Sequence, residues 1–382
     1  MQELGQIREK LNRIDDDLVR LFKDRLALVD EVAAVKRESG APICDPGRER
    51  AILSRVASAA GPELEIPSKV LFSTLFNISR ARQRKIAGSE SPIGEEMRRA
   101  ISSTPKQFPS QATVACPGAE GAYSQQAADR LVKFPAIFYF NSFEDVCAAV
   151  EKGMCRYGIL PIENSAAGSV SAVYDLMVRY RFHIVRALRQ QVRHVLLAPP
   201  GVEIGDVRSV HSHPQALAQC SAFLQANPRM VPCPSGNTAV AARSVAAAGR
   251  GDAAVIASRA CAELYGLRVL SDDICNTTAN YTRFICISKD CEIYPDSRKF
   301  SVMMTLANRP GSLYGVMAKF AALDVNLTKL ESRPIPGRDF EFRFTFDFEA
   351  SPGDERVVGL ISELSSDPDI EQFTFLGAYA EC

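Results

Sequence analysis

The sequence predicts a multidomain chain with three folded regions: an all-helical region, an α/β region of two lobes, and a small α+β C-terminal region. Apolar residues recur at helical spacing in the helical region, residues 1–88. The α/β region, residues 112–288, alternates short apolar strands with helical stretches. The C-terminal region, residues 299–382, follows the order strand–helix–strand–strand–helix–strand. Residues 89–111 are rich in Ser, Pro and charge, which indicates a linker with a short helix at Glu95–Ile101.

The composition is that of an ordinary globular protein. Of the 382 residues, 46% are hydrophobic and 24% are charged. Lys+Arg and Asp+Glu both number 45, and this balance argues against a nucleic acid or an anionic membrane as partner. The eleven cysteines are scattered and the N-terminus turns charged at once, so we expect reduced thiols and a cytoplasmic protein.

An apolar seam runs along the first predicted helix. Its residues are spaced by steps of four and three, and they are Ile7, Leu11, Ile14, Leu18, Leu21, Leu28, Val32 and Val35. The seam position between Leu21 and Leu28 is Arg25, a cation that needs a partner when it is removed from water. That partner is either an acidic side chain of the same chain or an anionic ligand.

Two further cations of this helix bear on the choice. Lys36 lies eleven residues after Arg25, so both project the same way, about 16 Å apart. Arg8 lies on the same side but about 42 Å from Lys36, too far for one small ligand to reach both. Arg8 can share a site with Lys36 only if it comes from a second, antiparallel chain. A helix of this length needs partners to cover its seam, so we predict a homodimer or higher homo-oligomer with sites that mix both chains.

Polar residues also occupy special places in the next two predicted helices. The second helix opens at Asp45-Pro46, a good N-cap followed by a residue suited to the first helical position. Arg48 and Glu49 follow in its first turn. In the third helix, Ser79 and Gln83 stand where apolar residues belong. Buried polar groups need partners, which either a ligand or a structural hydrogen bond would supply.

Together these residues resemble the all-helical chorismate mutase family, and the resemblance covers residues 1–88. It implies that Arg8 from the partner chain, Arg25 and Arg48 hold the substrate carboxylates. It implies that Lys36 and Gln83 hydrogen-bond the ether oxygen of chorismate as the bond breaks.

The same resemblance implies that Asp45, Glu49 and Ser79 grip the substrate hydroxyl and order the site. The reaction is an intramolecular rearrangement, so it requires no nucleophile and no cofactor. Holding the reactive conformer supplies proximity. A cation and an amide aimed at the developing charge on the ether oxygen supply electrostatic stabilisation.

Polar motifs follow the predicted strands of the α/β region, where such sheets bind ligands. In chain order they are Gly118-x-x-Gly121-Ala122-Tyr123-Ser124, Leu160-Pro161-Ile162-Glu163-Asn164-Ser165, Ser212-His213-Pro214-Gln215 and Thr282-Arg283-Phe284. Another helix opens at Gly236-Asn237-Thr238. We expect the chain to cross between the lobes near residues 190 and 268. The pair His211-x-His213 has no third ligand at metal-site spacing, so we predict no metal site.

These four motifs resemble those of prephenate dehydratases, which implies a two-lobed fold similar to periplasmic binding proteins. The resemblance implies that Thr282 assists loss of the ring hydroxyl, although a buried threonine on a strand is otherwise a structural residue. The implied substrate contacts are Asn164, Ser212, Gln219, Asn237, Thr238, Arg283 and Phe284. Aromatisation of the ring drives this reaction, so no cofactor is implied.

The C-terminal region has two motifs beside its predicted core. The alternating phenylalanines from Phe340 to Phe348 read as one core face of a strand, and Asn308 as a helix cap. The strand and helix order resembles the ACT domain, a ferredoxin-like module that binds amino acids. The matching motifs, Gly311-Ser312-Leu313 and Glu331-Ser332-Arg333, imply phenylalanine as an effector held between paired copies.

Two alternatives to this interpretation stay open. In one, the α/β region prefers arogenate, which carries an amine where prephenate carries a ketone. In the other, the chain is a non-catalytic amino-acid sensor with helices that serve only for dimerisation. The polar set Arg25, Lys36, Arg48, Gln83 and Thr282 favours the enzyme, because a sensor has no need of all five.

Overall fold

The computed structural model describes residues 2–86, 91–335, 337–338 and 340–382, with side chains from residue 4. The start of the predicted linker, Ser89-Glu90, lies outside the described residues. None of the described helices is both long and apolar enough to cross a membrane.

The helical region consists of α1 (Gln2–Ser39) and α2 (Pro46–Ile86). Gly61 interrupts α2 with a φ of 75°, and Pro62 follows it. The chain folds back there, as shown by the contact between Arg80 Nη1 and Glu49 Oε1, which lie 2.7 Å apart. The second and third helices predicted from the sequence are therefore the two arms of α2.

In a single chain the apolar seam of α1 is not covered. Its residues from Ile7 to Val35 are 44–64% exposed. The buried residues of α1 are Val29 and Ala33, which lie on the side that packs against α2. The seam therefore remains available for a partner, as the predicted dimer requires.

The predicted linker contains more structure than its composition suggests. A helix, α3 (Pro92–Ser103), replaces the short helix expected at Glu95–Ile101. Met97 and Ala100 are buried in the core of the C-terminal region. These apolar residues at helical spacing hold the segment against that region, so it is not a free linker.

The first lobe of the α/β region is a sheet with helices on both faces. Its elements are β1 (Gln111–Pro117), α4 (Tyr123–Leu131), β2 (Phe134–Phe140), α5 (Phe143–Glu151), β3 (Tyr157–Asn164), β4 (Gly168–Ser169), α6 (Ser171–Tyr180), β5 (His183–Gln191) and β11 (Tyr281–Ser288). Helix α4 packs on one face, whereas α5 and α6 pack on the other.

The second lobe lies between β5 and β11 in the chain. Its elements are β6 (His194–Ala198), β7 (Ser209–Ser212), α7 (Pro214–Gln219), α8 (Ser221–Ala226), β8 (Val231–Pro234), α9 (Thr238–Ala248), β9 (Ala253–Ser258), α10 (Ala260–Tyr265) and β10 (Arg268–Ser271). The first crossing, between β5 and β6, lies near residue 190 as predicted. The return crossing was misplaced: β10 still pairs with β6, so the chain returns through residues 272–280.

The C-terminal region has the predicted order of elements. They are β12 (Lys299–Leu306), α11 (Ser312–Ala322), β13 (Leu327–Pro334), β14 (Phe342–Glu349), α12 (Glu355–Ser365) and β15 (Ile370–Glu381). The cap of α11 is Gly311, with a φ of 87°, rather than Asn308. Phe340 and Phe342 are 80% and 41% exposed, so the aromatic core face begins only after them.

The described strands form two sheets. One runs in the order β13-β14-β12-β15-β5-β11-β3-β1-β2, with β4 beside β3, and the other in the order β10-β6-β9-β7-β8. Strand β15 pairs in parallel with β5, through Ala380 and Glu381. The sheet of the C-terminal region therefore continues into the first lobe.

Candidate active sites

The end of β3 and the start of β11 bring two predicted site residues together. The strands are antiparallel neighbours, and Thr282 pairs with Asn164. The next pair is Arg283 with Glu163, after which Ile162 has no counterpart on β11. This one-residue bulge shifts the register of β3 against β11 by one residue. Asn164, and not Glu163, therefore lies opposite Thr282 and points to the same face of the sheet.

The amide of Asn164 is fixed by its neighbours. Its Oδ1 accepts hydrogen bonds from the backbone N–H groups of Ala166 and Ala167, each at 3.0 Å. Its Nδ2 therefore points to Thr282 Oγ1 at 3.0 Å and to Asn280 Oδ1 at 2.9 Å. Because Asn164 can donate to Thr282 Oγ1, the hydroxyl proton of Thr282 is free for another acceptor. Both side chains are buried.

Arg283, a predicted substrate contact, lies on the other face of its strand. Successive side chains of a strand point to opposite faces, so Arg283 points away from Thr282. Its Nη1 donates to Asp347 Oδ2 at 2.7 Å, and its Nη2 donates to the hydroxyl of Tyr379. Phe284 is buried in the core under α4, and its contact with the substrate stays a prediction.

Ser212 and Gln219 make their contacts in the second lobe. The Ser212 hydroxyl is fully buried and donates to the backbone oxygen of Ile256 at 2.6 Å. Gln219 is the last residue of α7, and its Oε1 lies 3.1 Å from His194 Nε2. Burial lowers the pKa of His194 to about 4, so its ring is neutral near pH 7. Sequence reasoning did not single out His194.

Asn237 joins the two lobes. Its side chain caps α9 by accepting from the backbone N–H of Ala239 at 2.8 Å, and Thr238 is the first residue of that helix. A Cβ atom on Gly118, in the first glycine turn, would lie only 2.6 Å from Asn237 Nδ2. Gly118 also has a φ of 101°. The turn therefore needs glycine both for its backbone conformation and for the close approach of Asn237.

In the helical region, Arg25 and Ser79 are in contact. Arg25 Nη1 donates to Ser79 Oγ at 2.5 Å and to the backbone oxygen of Leu75 at 3.4 Å. The partner is thus a neutral hydroxyl, not the acidic side chain that was one possibility. Burial lowers the pKa of Arg25, because leaving water disfavours the charged form. Neutral partners leave its charge available for an anion.

Gln83 lies one turn after Ser79 on the same arm of α2. Its side chain is buried, and among the described residues its Oε1 has no hydrogen-bond partner. A buried polar atom without a partner requires an explanation, and a ligand group is one. Lys36 Nζ donates to the backbone oxygen of Ile43 at 2.7 Å, which ties the end of α1 to the loop that follows.

The other predicted residues of this group lie further out. Asp45 Oδ1 accepts from the backbone N–H of Arg48 at 3.0 Å, so Asp45 caps α2 as predicted. Arg48 is exposed, and Glu49 pairs with Arg80. Arg8 is exposed and lies about 26 Å along α1 from Arg25. A single chain therefore does not bring Arg8 to this site.

The two motifs of the C-terminal region occupy different elements. Gly311, Ser312 and Leu313 form the start of α11, and among the described residues the buried hydroxyl of Ser312 has no partner. The second motif lies on β13. Glu331 there accepts from Ser169 Oγ at 2.5 Å, and Arg333 donates to Ser171, both in the α/β region. Ser332, between them on β13, is paired in register with Phe344.

Among the described residues, one group of side chains has the types and spacing to hold a metal ion. Glu96, His183 and Cys291 bring donor atoms within 4.8 Å of one another. Three separate segments supply them, so no sequence spacing could reveal the group. Within the group, His183 Nε2 lies 3.5 Å from Glu96 Oε1. His213, of the pair considered above, caps α7 through Nδ1.

The chain is similar to known proteins along most of its length. Residues 7–84 match the family model of chorismate mutase type II, and residues 114–292 match that of prephenate dehydratase. The bifunctional chorismate mutase/prephenate dehydratase of Enterobacter agglomerans is 30% identical over 370 residues, which are 94% of this chain and 92% of that protein.

Two other relatives cover about two thirds of the chain. The chloroplastic arogenate dehydratase/prephenate dehydratase 2 of Arabidopsis thaliana is 40% identical over 266 residues, which are 67% of this chain and 70% of that protein. The crystal structure of prephenate dehydratase from Arthrobacter aurescens, in complex with L-Phe, is 27% identical. It covers 70% of this chain and 90% of that one, with a TM-score of 0.62.

Proposed function

This chain belongs to the family of bifunctional chorismate mutase/prephenate dehydratases, and we propose that the residue groups described above are its two active sites. It is an enzyme with both activities: it isomerises chorismate to prephenate and converts prephenate to phenylpyruvate. The prediction that the chain is an enzyme is thus confirmed, and the alternative of a non-catalytic sensor is ruled out. The buried contact between Thr282 and Asn164 carries the assignment of the dehydratase site.

In the dehydration, the ring of prephenate loses its carboxylate as carbon dioxide and its hydroxyl as hydroxide. The electron pair of the broken C–C bond enters the ring as the C–O bond breaks, so the ring becomes aromatic. Thr282 donates a hydrogen bond to the departing hydroxide and keeps its proton, because Asn164 Nδ2 occupies its acceptor side at 3.0 Å. Ser212, Gln219, Asn237 and Thr238 of the second lobe contact the rest of the substrate.

In the rearrangement, cations of the helical region hold the two carboxylates of chorismate. Arg25, with neutral partners, supplies one positive charge, and Arg48 and Arg8 of the partner subunit supply others. Gln83 and Lys36 stabilise the negative charge that develops on the ether oxygen. The burial of Gln83 supports this role, because its amide Nε2 can donate to an ether oxygen in a site shielded from water.

Phenylalanine acts as the feedback effector and binds at the C-terminal region. The unpartnered hydroxyl of Ser312 at the start of α11 supports a ligand at that motif. The Arthrobacter relative was solved with L-Phe, which supports the choice of amino acid. The enzyme works as a homodimer, and the exposed apolar seam of α1 supports this assembly. It works in the cytoplasm, and the eleven free cysteines support this location.

The test is to give the purified enzyme chorismate alone and follow phenylpyruvate, with and without phenylalanine. Production that phenylalanine suppresses is the expected result. Accumulation of prephenate without phenylpyruvate would indicate arogenate as the second substrate, and the Arabidopsis relative is an arogenate dehydratase/prephenate dehydratase. Fusion to a mutase favours prephenate, because prephenate is the product of that mutase.

A further inference from the structure

A buried ion pair connects the strand of Thr282 to the C-terminal region. Arg283 Nη1 lies 2.7 Å from Asp347 Oδ2, and the two side chains are only 9% and 3% exposed. The other carboxylate oxygen of Asp347 accepts from Ser301 Oγ at 2.5 Å. The hydroxyl of Tyr379 contacts both Arg283 and Ser301. Three strands of the C-terminal region thus fix the position of one arginine of β11.

A second ion pair, in which the Glu163 side chain is 38% exposed, holds the neighbouring strand. Glu163, which precedes Asn164 on β3, accepts from Lys329 Nζ at 3.1 Å. Lys329 is on β13, and its Nζ also donates to Ser169 Oγ at 2.9 Å. Glu163 and Arg283 are paired across β3 and β11, directly beside the pair Asn164 and Thr282.

The two pairs point to opposite faces of one sheet. Thr282 and Asn164 face the dehydratase site, whereas Arg283 and Glu163 face the C-terminal region. Because neighbouring residues share a backbone, a shift of Arg283 displaces Thr282. A displacement of about 1 Å can cost two orders of magnitude in rate when a reacting group depends on its geometry.

We propose that Asp347 is a positioning residue for the dehydration, which acts through Arg283 on Thr282, and that Lys329 acts in the same way through Glu163 on Asn164. The proposal rests on the role of Thr282 given above. It assigns residues of the C-terminal region to the dehydratase reaction itself, although none of them touches the substrate. The C-terminal region then contributes to turnover even without a bound effector.

The experiment compares Asp347→Asn with the wild-type chain. Asparagine keeps the shape of the side chain but removes the nearest charged partner of Arg283, which retains only the longer contacts with Glu381 at 3.5 Å and Glu163 at 3.8 Å. The kcat for prephenate should fall about 10- to 100-fold, because Thr282 loses its alignment. The KM should stay within about twofold, since contacts of the second lobe remain. Chorismate turnover by the helical region should not change.

Thr345→Val is the matched control. Thr345 is two residues before Asp347 on the same buried face of β14, and its hydroxyl has no partner among the described residues. This variant disturbs the same strand and leaves the ion pair intact, so its kcat should match the wild type. Lys329→Met provides a second, milder test if Asp347→Asn does not fold, and it should lower kcat without raising KM.

The outcomes separate this proposal from the site assignment. Wild-type kcat in both Asp347→Asn and Lys329→Met overturns it, as does an equal loss in Thr345→Val, which would indicate general loosening of the sheet. Thr282→Ala is measured beside them. If Thr282→Ala is inactive and Asp347→Asn is normal, only the positioning role fails. If Thr282→Ala is active, the assignment of Thr282 itself fails.

Discussion

The helical region and the α/β region place their polar site residues in contrasting ways. In the α/β region, Thr282 and Asn164 are buried and held by hydrogen bonds within one chain. In the helical region, Arg8 and Arg48 are exposed and Gln83 has a buried oxygen without a described partner. The first arrangement is complete in a single chain. The second has the charges and the apolar seam of a site that a partner subunit completes.

The difference follows from how each fold buries its polar groups. A sheet satisfies the backbone through its neighbours, so a bulge such as the one at Ile162 can aim one side chain without exposing others. Two long helices have too little surface to enclose a small dianion. We therefore expect the helical region to need a second copy both for its core and for its ligand.

The comparison is tested most strongly by Thr282→Ala. Removing the hydroxyl should lower prephenate turnover by about 10² to 10³, because the leaving oxygen loses its hydrogen-bond donor. Chorismate turnover should be unchanged, since the helical region has its own site. Thr282→Ser, which keeps the hydroxyl, is the control and should retain most of the activity. Full dehydration by Thr282→Ala would refute the role.

Lys36→Ala should have the reverse effect. Loss of the cation beside the developing ether oxygen should lower chorismate turnover by about 10² to 10³. Prephenate supplied directly should still give phenylpyruvate at the wild-type rate. Arg37→Ala, at the next and exposed position, is the matched control. Normal chorismate turnover by Lys36→Ala would show that Lys36 is not part of the mutase site.

Ile14→Glu tests whether the helical site needs a second chain. Ile14 is 54% exposed in one chain, so the change should not harm the folding of that chain. A charge in the seam should separate the helices, and chorismate turnover should fall at least about 10-fold because Arg8 of the partner subunit is lost. Dehydration of prephenate should remain.

Asn12→Glu adds the same charge at an exposed position outside the seam, and it should preserve both activities. Sedimentation of the two variants shows whether the loss of turnover accompanies a change of assembly. Wild-type chorismate turnover in Ile14→Glu would mean that one chain completes the site.

The smallest effect concerns acid stability of the α/β region. Burial lowers the pKa of His194 to about 4, so the unfolded chain binds its proton more tightly than the folded chain. Stability is therefore lost as the pH falls from about 6.5 toward 4. At pH 5 this loss is about 2 kcal/mol relative to pH 7.5, at about 1.4 kcal/mol per pH unit.

Denaturant unfolding at the two pH values measures this loss. His194→Gln keeps a polar contact for Gln219 but does not titrate, so its stability should fall less between pH 7.5 and pH 5 than that of the wild type. An identical fall in both proteins would show that His194 does not contribute.

Several site residues were predictable because their signal is local. Asp45 caps α2 and Asn237 caps α9, as their positions before helical segments indicated. Asn164 and Thr282 were found through motifs, and the structure places them in contact. The face that Arg283 occupies was not predicted, because adjacency to Thr282 in sequence puts it on the opposite face of a strand. His194 had no motif, and only its contact with Gln219 draws attention to it.

The sequence by itself determined the three regions, the order of their elements and the motifs, because periodicity and caps depend on residues close along the chain. Tertiary structure alone decided which face each motif residue occupies. The bulge at Ile162, the pairing of β15 with β5 and the ion pair between Arg283 and Asp347 join residues far apart in sequence. Such contacts depend on strand register and on packing between regions, and no local pattern specifies either.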